Sequence, residues 1–152
     1  MKVSEIMSSP IITVREEATL KEVAQTMLDH SFGCVPVVDK QGVMTGIITE
    51  SDFAAKNRGV PFTTFRMPQL FGRWLGKSGV EQLYESASTI PASDVMSRDV
   101  ITVTEEVTIE EVLELMLRHD VNRIPVLRDR VPVGIVARYD LLKLMLRQRK
   151  PM

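Results

Sequence analysis

The sequence predicts a mixed α/β fold of the α+β kind, made of two pseudo-symmetric β-α-β-β-α units, and three observations carry that prediction. The chain repeats itself: SEIMSSPIITVREEATLKEVAQTMLDH, from Ser4 to His30, falls on SDVMSRDVITVTEEVTIEEVLELMLRH, from Ser93 to His119. After the loss of one residue near Gln41–Gly42, VMTGIITESD, ending at Asp52, falls on VPVGIVARYD, ending at Asp140. Within each copy the apolar spacing switches from a β-branched run to a helical period and back to strand-like runs. A repeat of roughly 50 residues rarely covers its apolar face alone, so two copies are expected to pack as a pair.

Each copy opens on a β-branched run, Ile11-Ile12-Thr13-Val14 or Val100-Ile101-Thr102-Val103, which favours a strand. A helix follows. Thr19 with Glu22, and Thr108 with Glu111, match the capping box, in which each side chain satisfies a free backbone N–H at the helix start. Leu20, Val23, Ala24, Met27 and Leu28 recur at i, i+3, i+4, i+7 and i+8, as do Ile109, Val112, Leu113, Met116 and Leu117. Each helix is therefore expected to bury one stripe. Two strand-like runs come next: Cys34–Val38 then Val43–Thr49, and Ile124–Leu127 then Val131–Val136. Lys40-Gln41-Gly42 and Arg128-Asp129-Arg130 supply the turns between them. A second helix is expected from about Ser51 and again from about Tyr139.

The copies divide the chain into 1–56 and 91–152, with an insert at 57–90 that matches neither. The insert holds Phe62, Phe65, Phe71, Trp74 and Tyr84, too aromatic a set for a solvated linker, so it is expected to be ordered and to pack on the pair. Its glycines and prolines break any long helix, leaving room for a short one at Val80–Ala87.

The composition is that of an ordinary globular protein, 44% apolar and 26% charged, with a net charge of −1. That balance gives no general attraction to nucleic acid or anionic lipid. No apolar run approaches the ~20 residues of a membrane span, and MKVSEIMSS lacks the apolar core of a signal peptide. Cys34 is the single cysteine, which excludes an intrachain disulfide and a cysteine metal cluster. A cytoplasmic location is the expectation, with no nucleic-acid or membrane partner. There is no G-x-S-x-G, no phosphate-binding P-loop and no H-E-x-x-H, so no catalytic residue and no metal ligand is assigned. His30 and His119 close the first helix of each copy, where a cation complements the helix dipole.

Taken together, these motifs resemble the CBS-domain pair, or Bateman module. Each copy opens on (D/E)-h-M-S, as Glu5-Ile6-Met7-Ser8 and Asp94-Val95-Met96-Ser97, and closes on G-h-h-x-x-x-D, from Gly46 to Asp52 and from Gly134 to Asp140. Val35-Pro36 and Ile124-Pro125 stand at the family's hydrophobic-proline step. The resemblance implies two CBS units packed as one module, with no resident cofactor. It also implies regulatory binding of an adenosyl nucleotide (AMP, ADP, ATP or S-adenosylmethionine) in clefts between the copies. Signalling would follow by a change of conformation or assembly. The family further implies a homodimer and a regulated partner protein, not identified by the sequence.

Carried over residue by residue, the resemblance sets Ile12-Thr13, Cys34-Val35-Pro36, Ile101-Thr102 and Arg123-Ile124-Pro125 against adenine, and Thr49, Asp52 and Asp140 against ribose and phosphate. Physically, a carboxylate suits a ribose diol, and a helix start offers free N–H groups to an anion. The same Thr49-x-x-Asp52 spacing also suits a plain helix cap, and Val35 and Ile124 also suit a plain core. Ala137 replaces Thr49 in the second copy while Asp140 remains. Arg123, Arg128, Arg130 and Arg138 crowd that copy, and Arg138 is a candidate for phosphate. The alternative reading is a structural dimerisation scaffold with degenerate, empty clefts.

Overall fold

The computed structural model describes residues 1–53 and 87–147. The chain forms two compact units: the first joins Met1–Ile12, Gly42–Met44 and Val100–Met152, the second Thr13–Gln41 and Thr45–Asp99. The opening dodecapeptide is thus grouped with the second sequence copy, and residues 92–99 with the first.

Each unit carries a three-stranded sheet. In the second unit the order is β1 (Val14–Arg15), β2 (Cys34–Val38), β3 (Met44–Thr49), with helix α1 (Leu20–His30) crossing from β1 to β2 and α2 (Glu50–Phe53) following β3. In the first unit the order is β4 (Val103–Thr104), β5 (Arg123–Arg128), β6 (Val131–Ala137), with α3 (Ile109–His119) and α4 (Arg138–Arg147) placed likewise. β1 runs parallel to β2 through Val14↔Val37, and β4 parallel to β5 through Val103↔Val126, as a helical crossover requires. The turn into β3 passes through Gly42 at φ +85°, a left-handed conformation that glycine adopts without steric cost. Near Pro132, which has no N–H to give, the β5–β6 register shifts between Val126 and Leu127.

The expected mixed fold and element order are present. Both capping boxes form: Glu22 N–H donates to Thr19 Oγ1 at 3.2 Å, Thr19 N–H to Glu22 Oε2 at 3.2 Å, and Thr108 and Glu111 repeat the exchange at 3.3 Å. Thr19→Ala and Thr108→Ala are each expected to cost about 1 kcal/mol, read as a lower urea midpoint at constant slope. His30 and His119 are the last residues of α1 and α3.

Two expectations are corrected. The first strands begin late, at Val14 and Val103, because a local β preference does not say where pairing with the next strand starts; they pair only with Val37–Val38 and Val126–Leu127. The helical stripes are also narrower than read. Leu20, Val23 and Met27 are buried, as are Ile109, Val112 and Met116, but Leu28 and Leu117 are 76% and 77% exposed. At ~100° per residue, position i+8 lies about 80° from position i, on the edge of the stripe.

Each unit has its own core. Val14, Leu20, Val23, Met27, Val35, Val37 and Ile48 of the second unit are closed by Ala92, Val95 and Met96. Val103, Ile109, Val112, Met116, Ile124, Val126 and Val136 of the first are closed by Val3 and Ile6. The closing segments are short 3₁₀ turns, Val3–Glu5 and Ala92–Asp94, held by Val3 N–H to Val107 O at 2.8 Å and Ala92 N–H to Ala18 O at 2.7 Å. Of the insert at 57–90, Ala87 and Ile90 pack against the second unit's core. Its five aromatic residues, and the helix expected at 80–87 up to residue 86, lie outside the described residues.

Candidate functional site

Asp52 and Asp140 are the buried charged side chains among the described residues, 0% and 4% exposed. Each follows the last strand of its copy, in the first turn of α2 or α4. Leaving a carboxylate in the interior requires donors, and the backbone supplies them. Thr49 N–H donates to Asp52 Oδ2 at 2.7 Å, and the Thr49 hydroxyl lies 3.4 Å from the same oxygen. Ala137 N–H donates to Asp140 Oδ2 at 2.8 Å. The carboxylate thus caps the residue three before it in both units. Ala137 in place of Thr49 therefore does not leave Asp140 idle, and retention of the acid is accounted for by capping as well as by a ligand.

The same backbone frame recurs around each acid. Glu50 N–H donates to Gly33 O at 3.1 Å, and Arg138 N–H to Asn122 O at 3.0 Å, which ties each helix start to the entry of the middle strand. Cys34 and Arg123 open those strands. Of the residues expected to meet adenine, Val35 and Ile124 are fully buried in the cores, and Cys34, Pro36 and Pro125 are buried as well. The side chains of Val35 and Ile124 serve packing. Thr13, Ile101 and Thr102 are half-buried just ahead of β1 and β4. Ile12 is grouped with the first unit and Thr13 with the second.

In the first unit the frame collects residues that the sequence reading did not single out. Ser8 Oγ lies 3.4 Å from Asp140 Oδ1, and Lys143 Nζ lies 2.9 Å from the same oxygen. Ser8 reaches Asp140 because Ser8 and Ile135 exchange two backbone hydrogen bonds, at 2.8 and 3.1 Å. The signal available in sequence was the M-S pair repeated at Ser8 and Ser97; the partner of each was not readable. Ser97 and Ile47 make the same exchange in the second unit, at 2.9 and 3.0 Å.

Arg123 stands opposite Ala137 in the β5–β6 register, which sets it beside the start of α4. Arg138 makes a 3.8 Å contact with Asp120. Arg128 is instead engaged by Glu105, through a 2.8 Å bond from Nη2 to Oε2 that, with its Nε partner, holds the Glu105 carboxyl below the usual range. Its fork is spent on an intramolecular pair. A groove of about 550 Å³ lies between β4 and α3, lined by Thr104, Glu111, Glu114, Arg118 and Arg130; Thr102 is its one candidate residue. Another, of about 510 Å³, is lined by Met27, Leu28, Phe32, Glu50 and Phe53. Among the described residues no group of three or more His, Cys, Asp or Glu could hold a metal ion, and no helix is long and apolar enough to cross a membrane.

Comparison with known proteins follows the geometry. The family model described as CBS domain matches residues 3–58 and 92–147. The CBS domain-containing protein YhcV of Bacillus subtilis is 30% identical over 139 residues, which cover 91% of this chain and 81% of that protein. The CBS domain of a CBS domain-containing membrane protein from Sphaerobacter thermophilus is 44% identical, with a TM-score of 0.77, covering 95% of this chain and 87% of that one. A CBS domain pair crystallised with 5′-methylthioadenosine and S-adenosyl-L-methionine is 25% identical, with a TM-score of 0.69 and 98% coverage of both chains.

Proposed function

The chain belongs to the CBS domain family, and on that premise we propose that it is a regulatory module, not an enzyme, that binds an adenosyl ligand. The observation that carries this reading is the recurrence of one buried carboxylate frame, Asp52 in one unit and Asp140 in the other. A carboxylate accepts from both hydroxyls of a ribose, and AMP, ADP, ATP and S-adenosylmethionine all present one. The solved pair with methylthioadenosine and S-adenosylmethionine supports the ligand class. A thermal-shift series with these ligands tests it. At about 100 times the dissociation constant a ligand stabilises the fold by ~2.7 kcal/mol. A flat response to all of them would leave the second reading, a scaffold with empty clefts. One observation favours that reading: each carboxylate already has a backbone N–H to accept.

Signalling by assembly needs a face for it. Leu113 and Leu117 on α3, and Leu142, Met145 and Leu146 on α4, are exposed, more apolar surface than isolated surface residues account for. The proposed assembly is a homodimer through these helices. Light scattering at micromolar concentration is expected to give twice the chain mass, and Leu142→Glu with Met145→Glu to return it to one. A wild-type chain that scatters as a monomer rules the dimer out.

A further inference from the structure

A methionine sulfur covers a buried glycine in each unit. A Cβ built on Gly134 would collide with Met7 Sδ, and one on Gly46 would stand 2.5 Å from Met96 Sδ, so each sulfur fills the space that a side chain would take. Both glycines are buried. The residue after each methionine holds the same strand by two backbone hydrogen bonds, Ser8 with Ile135 at 2.8 and 3.1 Å and Ser97 with Ile47 at 2.9 and 3.0 Å. A thioether is thus the apolar cover beside each two-bond bridge, and a thioether is the apolar group that peroxides attack.

The two covers differ in access and in support. Met96 is 7% exposed, whereas Met7 is half-buried and packs against the first unit's core from outside it. Thr45 Oγ1 lies 3.9 Å from Met96 Sδ. Val133 takes the place of Thr45 in the second sequence copy and brings no hydroxyl. An oxidant therefore reaches Met7 from solvent, and an oxygen added there finds no hydroxyl at position 133.

We propose that Met7 is an oxidation site for hydroperoxides and that its sulfoxide opens the Ser8–Ile135 bridge. The Met7 sulfur gives an electron pair to one peroxide oxygen, and the S–O bond forms as the O–O bond breaks. The displaced hydroxide takes the proton of the transferred hydroxyl and leaves as water, so sulfur is oxidised and hydrogen peroxide reduced. The sulfoxide oxygen is polar, and hydrating it draws the side chain off Gly134. Water then reaches the bridge, and Ser8 gives up its 3.4 Å contact with Asp140. Met96 stays reduced, and the Ser97–Ile47 bridge stays closed.

Graded hydrogen peroxide on the native full chain tests this, with peptide mass spectrometry to locate each added oxygen. Met145, 72% exposed, is the reference that oxidises first. Met7 is expected to follow, and Met96 to oxidise only in urea. Amide exchange at Ser8 and Ile135 should then quicken about tenfold or more, while that at Ile47 and Ser97 holds. The Tm should fall by roughly 5 °C, and a methionine sulfoxide reductase with a thiol reductant should restore both readings. Met7→Leu, close in volume, is expected to exchange like the untreated wild type with or without peroxide. Met7→Gln, polar without oxidation, is expected to exchange quickly when untreated. Met7 that stays reduced while Met145 is oxidised overturns the site. Oxidised Met7 with unchanged exchange at Ile135, or peroxide that quickens this exchange equally in Met7→Leu, overturns the opening of the bridge.

Discussion

Gly46→Ala and Gly134→Ala are each expected to destabilise the fold by about 3 kcal/mol. A Cβ on Gly46 would stand 2.5 Å from Met96 Sδ and 2.8 Å from Ser97 O; one on Gly134 would stand 2.9 Å from Met7 Cγ and 3.0 Å from Ser8 O. A methionine side chain can turn aside, but the carbonyls are held. Ser97 O accepts Ile47 N–H at 3.0 Å and Ser8 O accepts Ile135 N–H at 3.1 Å, so a methyl group must open both of these two-bond bridges. In a chain of this size the loss reads as a fall of roughly 10 °C in melting temperature. Gly42→Ala is the comparison: nothing lies within 4 Å of its Cβ, and its positive φ alone costs about 1 kcal/mol. If Gly46→Ala and Gly134→Ala lose no more than Gly42→Ala, the close approach of the M-S segments is wrong.

Asp52→Ala is expected to act twice. It removes the acceptor of a part-buried backbone N–H at 2.7 Å, a loss of about 2 kcal/mol of stability, and it weakens adenosyl binding about 10- to 100-fold. Asp52→Asn separates the two effects. The amide oxygen still accepts from Thr49 N–H, so most of the stability should return, while a ribose diol loses the second acceptor and the charge. Asp140→Ala gives up the Ala137 N–H and the Ser8 contact, and a Lys143 pair whose half-exposed ammonium adds little. Urea unfolding and calorimetry on the same preparations check both. Full stability with unchanged affinity in Asp52→Asn and Asp140→Asn would reduce these acids to caps.

The repeat, the two capping boxes and the strand at Cys34–Val38 were legible because each depends on residues close in sequence. A threonine finds its glutamate three residues on, and a β-branched run needs no distant partner to prefer extension. The stripe of α1 was legible only in part: the period placed Leu28 with Met27, and the width of the surface available to bury them left Leu28 outside. The candidate acids were legible as acceptors, but the donor each one takes was not. Thr49-x-x-Asp52 is the same spacing whether the carboxylate turns to a ribose or to its own backbone, and the fold turns it to the backbone in both units.

The pairing of segments belonged to the tertiary structure alone. Met7-Ser8 and Met96-Ser97 carry the same local signal, and nothing nearby says that the first docks on Gly134 and Ile135 and the second on Gly46 and Ile47. That choice is set by contacts more than 40 residues apart, between Ser8 and Ile135 and between Ile47 and Ser97, through apolar burial that has no direction in sequence. The chain by itself determined two copies of one unit, their helices and the two candidate acids, whose burial came from the fold. Folding decided which opening segment closes which core, because closing a core depends on shape across the whole unit and not on the preference of any short run.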